Sequence, residues 1–145
     1  MIHAQNDKVV ALLPTAAIGS TATSTLTIDR LGYDAVSVSA VRASNASTVF
    51  ASVLKVEESD DDSSYANVTA LVGGGSGGFT IPAVSATGSA AIVKLDIDAR
   101  ARKRYLKVSM TPGASATLAI VARLSRAEEA PVSASDAGVI GLVVG

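Results

Sequence analysis

The sequence predicts an all-β protein, a two-sheet antiparallel sandwich of jelly-roll-like form with about eight strands. Three observations carry this. Side chains alternate between apolar and polar with period two in segment after segment. Gly, Pro and Ser punctuate those segments at fairly even spacing. The i, i+3, i+4 apolar spacing of an amphipathic helix is not sustained along any segment, so no convincing helix is expected.

In chain order, a weak first strand is expected at 8–13 and a clear one at 22–29, with Ser24, Leu26 and Ile28 inward and Thr23, Thr25, Thr27 and Asp29 outward. The connection 30–34 bends at Gly32. Segment 35–40 follows, with Val36, Val38 and Ala40 on one side and Ser37 and Ser39 on the other. Strands at 48–56 and 65–72 flank an acidic connection, 57–64. In 90–99, Ala91, Val93, Leu95 and Ile97 alternate with Ile92, Lys94, Asp96 and Asp98, the pattern of a sheet with one wet face. Strands 103–111 and 117–125 read as a hairpin whose loop, 112–116, is set by Pro112 and Gly113. Leu106, Val108 and Met110 would then share a face with Leu118, Ile120 and Leu124. The low-complexity run 73–78 is expected to be mobile unless a partner orders it. Residues 1–145 form one domain in this reading, and 1–7 and 132–145 are either extended arms or ordinary edge strands.

Composition narrows the function. Hydrophobic residues make up 48% of the chain but aromatics only 3%, so the core is built from small side chains and needs close layers. Twelve Lys and Arg against 13 Asp and Glu give a net charge of -1, with no global field to attract nucleic acid or an anionic membrane. The absence of Cys rules out disulfides, thiolate nucleophiles and Cys-ligated zinc. The apolar run 9–13 stops at Pro14, short of a signal-peptide core of about 7–15 residues, so no secretion signal is expected. The apolar end, 138–145, falls far below the roughly 18 residues of a spanning helix, so those side chains should be hidden against protein.

Catalytic chemistry finds little support. Gly73, Gly75 and Gly78 spell G-x-G-x-x-G, but Phe79 to Pro82 follow in place of a helix whose N-terminus would hold a pyrophosphate. Asp60, Asp61 and Asp62 lack the alternating spacing and central Gly of a calcium loop and read as a solvated acidic connection. Asp96 and Asp98 lie about 6–7 Å apart at a rise of ~3.3 Å per residue. They resemble a glycosidase pair only superficially and read as surface acids facing Lys or Arg across the sheet. His3, the single histidine, sits in a terminal segment and cannot assemble a Ser-His-Asp site or a His-rich metal site. The chain is therefore read as non-enzymatic, with no catalytic residue, cofactor or metal ligand.

Two groups are candidate partner contacts. Arg100, Arg102, Lys103 and Arg104 form the densest positive charge, and the shortage of aromatic stacking platforms favours a protein contact or a solvated turn over nucleic acid. Val139, Ile140, Leu142 and Val143 form the apolar end.

Lys103-Arg-Tyr-Leu-Lys-Val-Ser109, the Pro-Gly turn, and Ala119-Ile-Val-Ala-Arg-Leu-Ser-Arg-Ala-Glu-Glu-Ala-Pro131 together resemble the C-terminal hairpin of small auxiliary capsid proteins of tailed double-stranded-DNA phages. There an Arg-Tyr-hydrophobic strand precedes a second strand that ends in an Arg-containing segment and Ala-Pro. The resemblance covers about a fifth of the chain. It implies a decoration or cement protein that sits on the exterior of an icosahedral head, bridges major capsid subunits and resides in the host cytoplasm during assembly. Its partners would be the major capsid protein and itself. A homodimer is favoured over a homotrimer, because sandwich edges can pair across a two-fold axis. A carbohydrate-binding or adhesive sandwich module is the alternative. It would need exposed aromatics, and only Phe50, Phe79, Tyr33, Tyr65 and Tyr105 exist. A small β-scaffold hydrolase would need Asp60, Asp96 or Asp98.

Overall fold

Eight strands, β1 (Lys8–Leu12), β2 (Ser24–Asp29), β3 (Tyr33–Arg42), β4 (Ala51–Ser59), β5 (Ala66–Val72), β6 (Ala91–Asp98), β7 (Tyr105–Pro112) and β8 (Leu118–Ala127), form two antiparallel four-stranded sheets. This computed structural model describes residues 6–14, 16–129, 131, 133–141 and 143. One sheet runs β1-β8-β3-β6 and the other β2-β7-β4-β5. Strands pair first with last: β1 with β8, β2 with β7, β3 with β6 and β4 with β5. The chain is thus a long antiparallel hairpin with its tip between β4 and β5. It is rolled up until β3 meets β8 and β4 meets β7. That order is the eight-stranded jelly roll the sequence predicts.

The period-two reading places the core correctly. Leu26 and Ile28 of β2, Val36, Val38 and Ala40 of β3, Leu95 and Ile97 of β6, Leu106, Val108 and Met110 of β7, and Leu118, Ile120 and Leu124 of β8 are all buried. The same parity continues to Arg42, which is fully buried at the end of β3. At the other end of β3, Gly32 makes the bend with φ 81°, and Tyr33 N–H donates to the Arg30 carbonyl at 2.9 Å.

The structure corrects the expected hairpin between 103–111 and 117–125. β7 and β8 lie in opposite sheets, and Pro112 to Ala116 cross the end of the sandwich. Leu106, Val108 and Met110 therefore face Leu118, Ile120 and Leu124 across the core instead of sharing a face with them. Gly113 is required at that crossover, since a Cβ there would lie 2.4 Å from the Val49 carbonyl oxygen.

The glycine run is also more structured than its composition suggests. Gly73 N–H donates to the Leu54 carbonyl, Gly74 N–H to Phe79, and both Gly75 N–H and Phe79 N–H to Val72. A Cβ on Gly78 would stand 1.9 Å from the Val72 oxygen, so glycine is what lets this turn close on itself. Within the C-terminal region, residues 133–139 form hydrogen-bonded turns instead of an extended arm. Val9 N–H of β1 donates to the Ala137 carbonyl at 2.7 Å, and Ala137 is buried.

Candidate partner-binding surfaces

The basic segment Arg100 to Arg104 is held by a short 3-10 helix (Ala99–Ala101) that closes β6, with Asp98 as its N-cap. Its charges do not stand free. Arg100 grips Asp98 through two hydrogen bonds, at 3.0 and 2.8 Å. Arg102 Nη1 lies 3.6 Å from Glu58 and Lys103 Nζ 2.8 Å from Asp60. Arg104 binds Asp29 in bidentate fashion at 3.1 and 2.7 Å. Arg30 adds a second tie, donating to the carbonyls of Lys103 and Arg102 at 3.2 and 2.6 Å. These acids come from β2, from β4 with the connection after it, and from β6, so the segment joins elements of both sheets.

The carboxylates respond accordingly. The Arg100 guanidinium holds Asp98 down at about 2. The Arg104 hydrogen bond lowers Asp29 against a smaller opposing effect of burial. Burial alone would raise Glu57, but Lys55 at 3.0 Å and Lys107 at 3.4 Å outweigh it and keep the carboxyl below its usual range. In the acidic connection, Asp61 accepts from the backbone of Ser64 and the Ser59 hydroxyl and from Ser63 N–H, which brings it to about 2. The segment is a self-bonded turn with Asp62 at φ 56°. Among the described residues, no group of three or more His, Asp or Glu is placed to hold a metal ion. His3 lies outside the described residues.

Asp96 and Asp98 do project to the exposed side of β6, as their spacing requires. Their cations, however, come from their own strand and its continuation. Lys94 reaches Asp96 at 2.8 Å and Arg100 reaches Asp98, while the cross-strand neighbour of Asp96 is Ser37, which donates to it at 2.7 Å.

The aromatics are all engaged. Phe50 is buried, and Tyr33 and Phe79 pack against the core. Lys107 covers the Tyr65 ring at 4.0 Å and Arg104 the Tyr105 ring at 4.8 Å. Tyr65 also donates to Asp62, and burial together with that acceptor pushes its phenol up to about 12.

At the C-terminal end Val139 is half-buried, its N–H donating to Ala134 at 2.9 Å, whereas Ile140 and Val143 are fully exposed. Leu142 lies outside the described residues. Among the described residues no helix is long and apolar enough to cross a membrane.

Two features escape sequence reading. In β5 the register runs Glu58↔Ala66 and Glu57↔Asn67 and then jumps to Lys55↔Val72, so residues 68–71 form a wide bulge. With the end of β6 and Arg102 it lines an open groove of about 520 Å³. The other feature is Arg42. Its Nη1 donates to the carbonyls of Ser47 and Val49 at 3.1 and 2.8 Å, and its Nη2 to Ser89 at 2.8 Å. The parity of β3 alone could have found it.

These surfaces define a jelly-roll sandwich whose charges are largely spent on internal pairs. No known protein family matches the chain, and no curated protein matches it either. Among solved structures, PRD1 vertex protein P5 aligns with a TM-score of 0.46 and 13% identity over 83% of this chain and 96% of that one. The jelly-roll assignment stands on the strand order itself.

Proposed function

We propose that the protein is a structural virion component, a decoration or cement protein that binds the outer surface of an icosahedral phage head and bridges major capsid subunits. The observation that carries this reading is the resemblance of 103–109 and 119–131 to auxiliary capsid proteins. Those segments supply most of β7 and β8, each flanked on both sides within its sheet, as β3 and β4 also are. The role is mechanical and non-catalytic. Many copies on a symmetric lattice gain affinity by multivalent contact, so open surfaces suffice and no deep pocket is required. Ile140 and Val143 are the exposed apolar contacts of this reading, and the Arg100 to Arg104 segment the polar ones.

Nucleic acid is not a partner in this reading, because the densest cations already hold carboxylates. A glycan platform is disfavoured because the five aromatics are buried, packed or covered by cations. The test is co-sedimentation of the purified chain with expanded heads of its own virus that lack it. Saturable binding and a higher head-rupture temperature are expected, and failure to co-sediment would overturn the proposal.

A further inference from the structure

A two-sheet sandwich has four edge strands, here β1, β2, β5 and β6. Proteins blunt such edges because the unpaired backbone N–H and C=O groups are templates for another strand. In β1 the edge is taken at Val9 by the Ala137 carbonyl, with Gly138 so close that a Cβ would lie 1.8 Å from the Val9 oxygen. In β5 the bulge at 68–71 breaks the line. β2 is short, at six residues. β6 is different. It runs eight residues without Gly or Pro, and its ladder to β3 is unbroken from Ala35↔Asp98 to Arg42↔Ala91. It also carries Ile92 at 65% exposure, among the most exposed large apolar side chains.

The sequence of β6 is complementary to itself. Antiparallel pairing about a two-fold axis places residue i opposite a residue of equal parity, so that core-facing side chains meet core-facing ones. An axis at Lys94 would set lysine against lysine, and an axis at Asp96 would set aspartate against aspartate, both unfavourable. An axis at Leu95 sets Lys94 opposite the second copy's Asp96 twice over. It also puts Ile92 opposite Asp98, and on the inner row Val93 opposite Ile97 and Leu95 opposite itself. Within one chain Lys94 and Asp96 hold each other at 2.8 Å, but they are 61% and 65% exposed, so the same two charges can exchange partners across the axis.

We propose that β6 pairs antiparallel with β6 of a second copy about a two-fold axis at Leu95, joining the two β1-β8-β3-β6 sheets into one continuous eight-stranded sheet. This gives the self-association in the functional reading above a specific surface and register. It is tested without any capsid, so a dimer that ignores heads sinks the decoration reading alone, and a head-binding monomer sinks this one alone.

Sedimentation velocity of the full chain over a concentration series should show a monomer–dimer equilibrium. Lys94→Glu, which sets two like-charged pairs in the ladder, should weaken the dimer at least about tenfold. The swap Lys94→Glu with Asp96→Lys should restore it. Because the chain has no cysteine, Ile92→Cys with Asp98→Cys offers an independent readout. The two positions are about 20 Å apart along one strand, so a short thiol–thiol cross-linker can join them only between copies. Overturning results are a wild-type chain that stays monomeric, a trimer, a dimer indifferent to Lys94→Glu, or a folded cysteine variant that does not cross-link.

Discussion

The two ends of the sandwich handle positive charge in opposite ways. At the end of β3 that carries Arg42, one guanidinium is fully buried, has no carboxylate and donates from Nη1 and Nη2 to the carbonyls of Ser47, Val49 and Ser89, while its Nε finds no partner among the described residues and Phe50 lies 5.9 Å away. It fastens two crossovers, β3–β4 and β5–β6, to the core. At the opposite end, Arg100, Arg102, Lys103 and Arg104 lie near solvent and each has its own acid. Removing a buried charged donor strands its acceptors away from water, whereas removing an exposed partner leaves a group that water can solvate. Rigidity should therefore be concentrated at the Arg42 end, and sensitivity to pH and salt at the other.

The largest expected effect comes from Arg42→Met, which leaves the carbonyls of Ser47, Val49 and Ser89 without this donor and should cost about 3 kcal/mol. Urea unfolding would show this as a lower midpoint at unchanged slope. A variant within about 1 kcal/mol of the parent would erase the contrast between the ends. Next comes Gly113→Ala at the same end. There the new methyl meets the Val49 backbone, and a loss of about 1–3 kcal/mol is expected in the same assay.

The smallest effect belongs to the opposite end. Arg104→Gln should leave the urea midpoint at neutral pH almost unchanged, because the pair with Asp29 is 45% and 41% exposed. Its signature lies in the pH profile. Asp29, Asp61 and Asp98 have folded pKa values below the ordinary aspartate value of 3.8, the last two at about 2. Between about pH 4 and 2 the unfolded chain binds more protons than the folded one, so stability is full above about pH 5 and declines toward pH 2. Thermal midpoints across that range should fall less steeply in Arg104→Gln, since Asp29 then titrates closer to its unfolded value. An unchanged acid slope would mean that the Arg104 pair plays no part in it.

Much of the fold was legible because burial on one face writes itself into alternate residues. Leu26 and Ile28, Val36 to Ala40, and Leu95 and Ile97 are all buried as that pattern requires. The crossover at Pro112 to Ala116 was not legible as one. A short Pro-Gly loop has the same composition whether it joins neighbours in one sheet or spans the ~10 Å between two sheets. The sequence also showed the basic segment but not its neutralisation, since Asp29 and Glu58 reach it from strands paired through tertiary structure, at separations of 75 and 45 residues. The glycine run read as loose because composition records freedom of the chain and not the bonds that use it. Most of those bonds run to Leu54, Val72 and Phe79, outside the run itself.

Pairing first strand with last also constrains how the molecule forms. β1 meets β8 in the register Lys8↔Leu124, and β3 holds its inner edge open for the same β8 until that strand is made. Only the β4–β5 tip can zip locally. The rest waits on distant contacts that are slow to find, on the millisecond-to-second scale of β-sandwiches. A growing chain that has made β3 and β6 but not β8 thus carries a long, half-apolar strand with one edge open, and the interval before β8 appears is when mispairing with neighbouring chains is the greatest hazard.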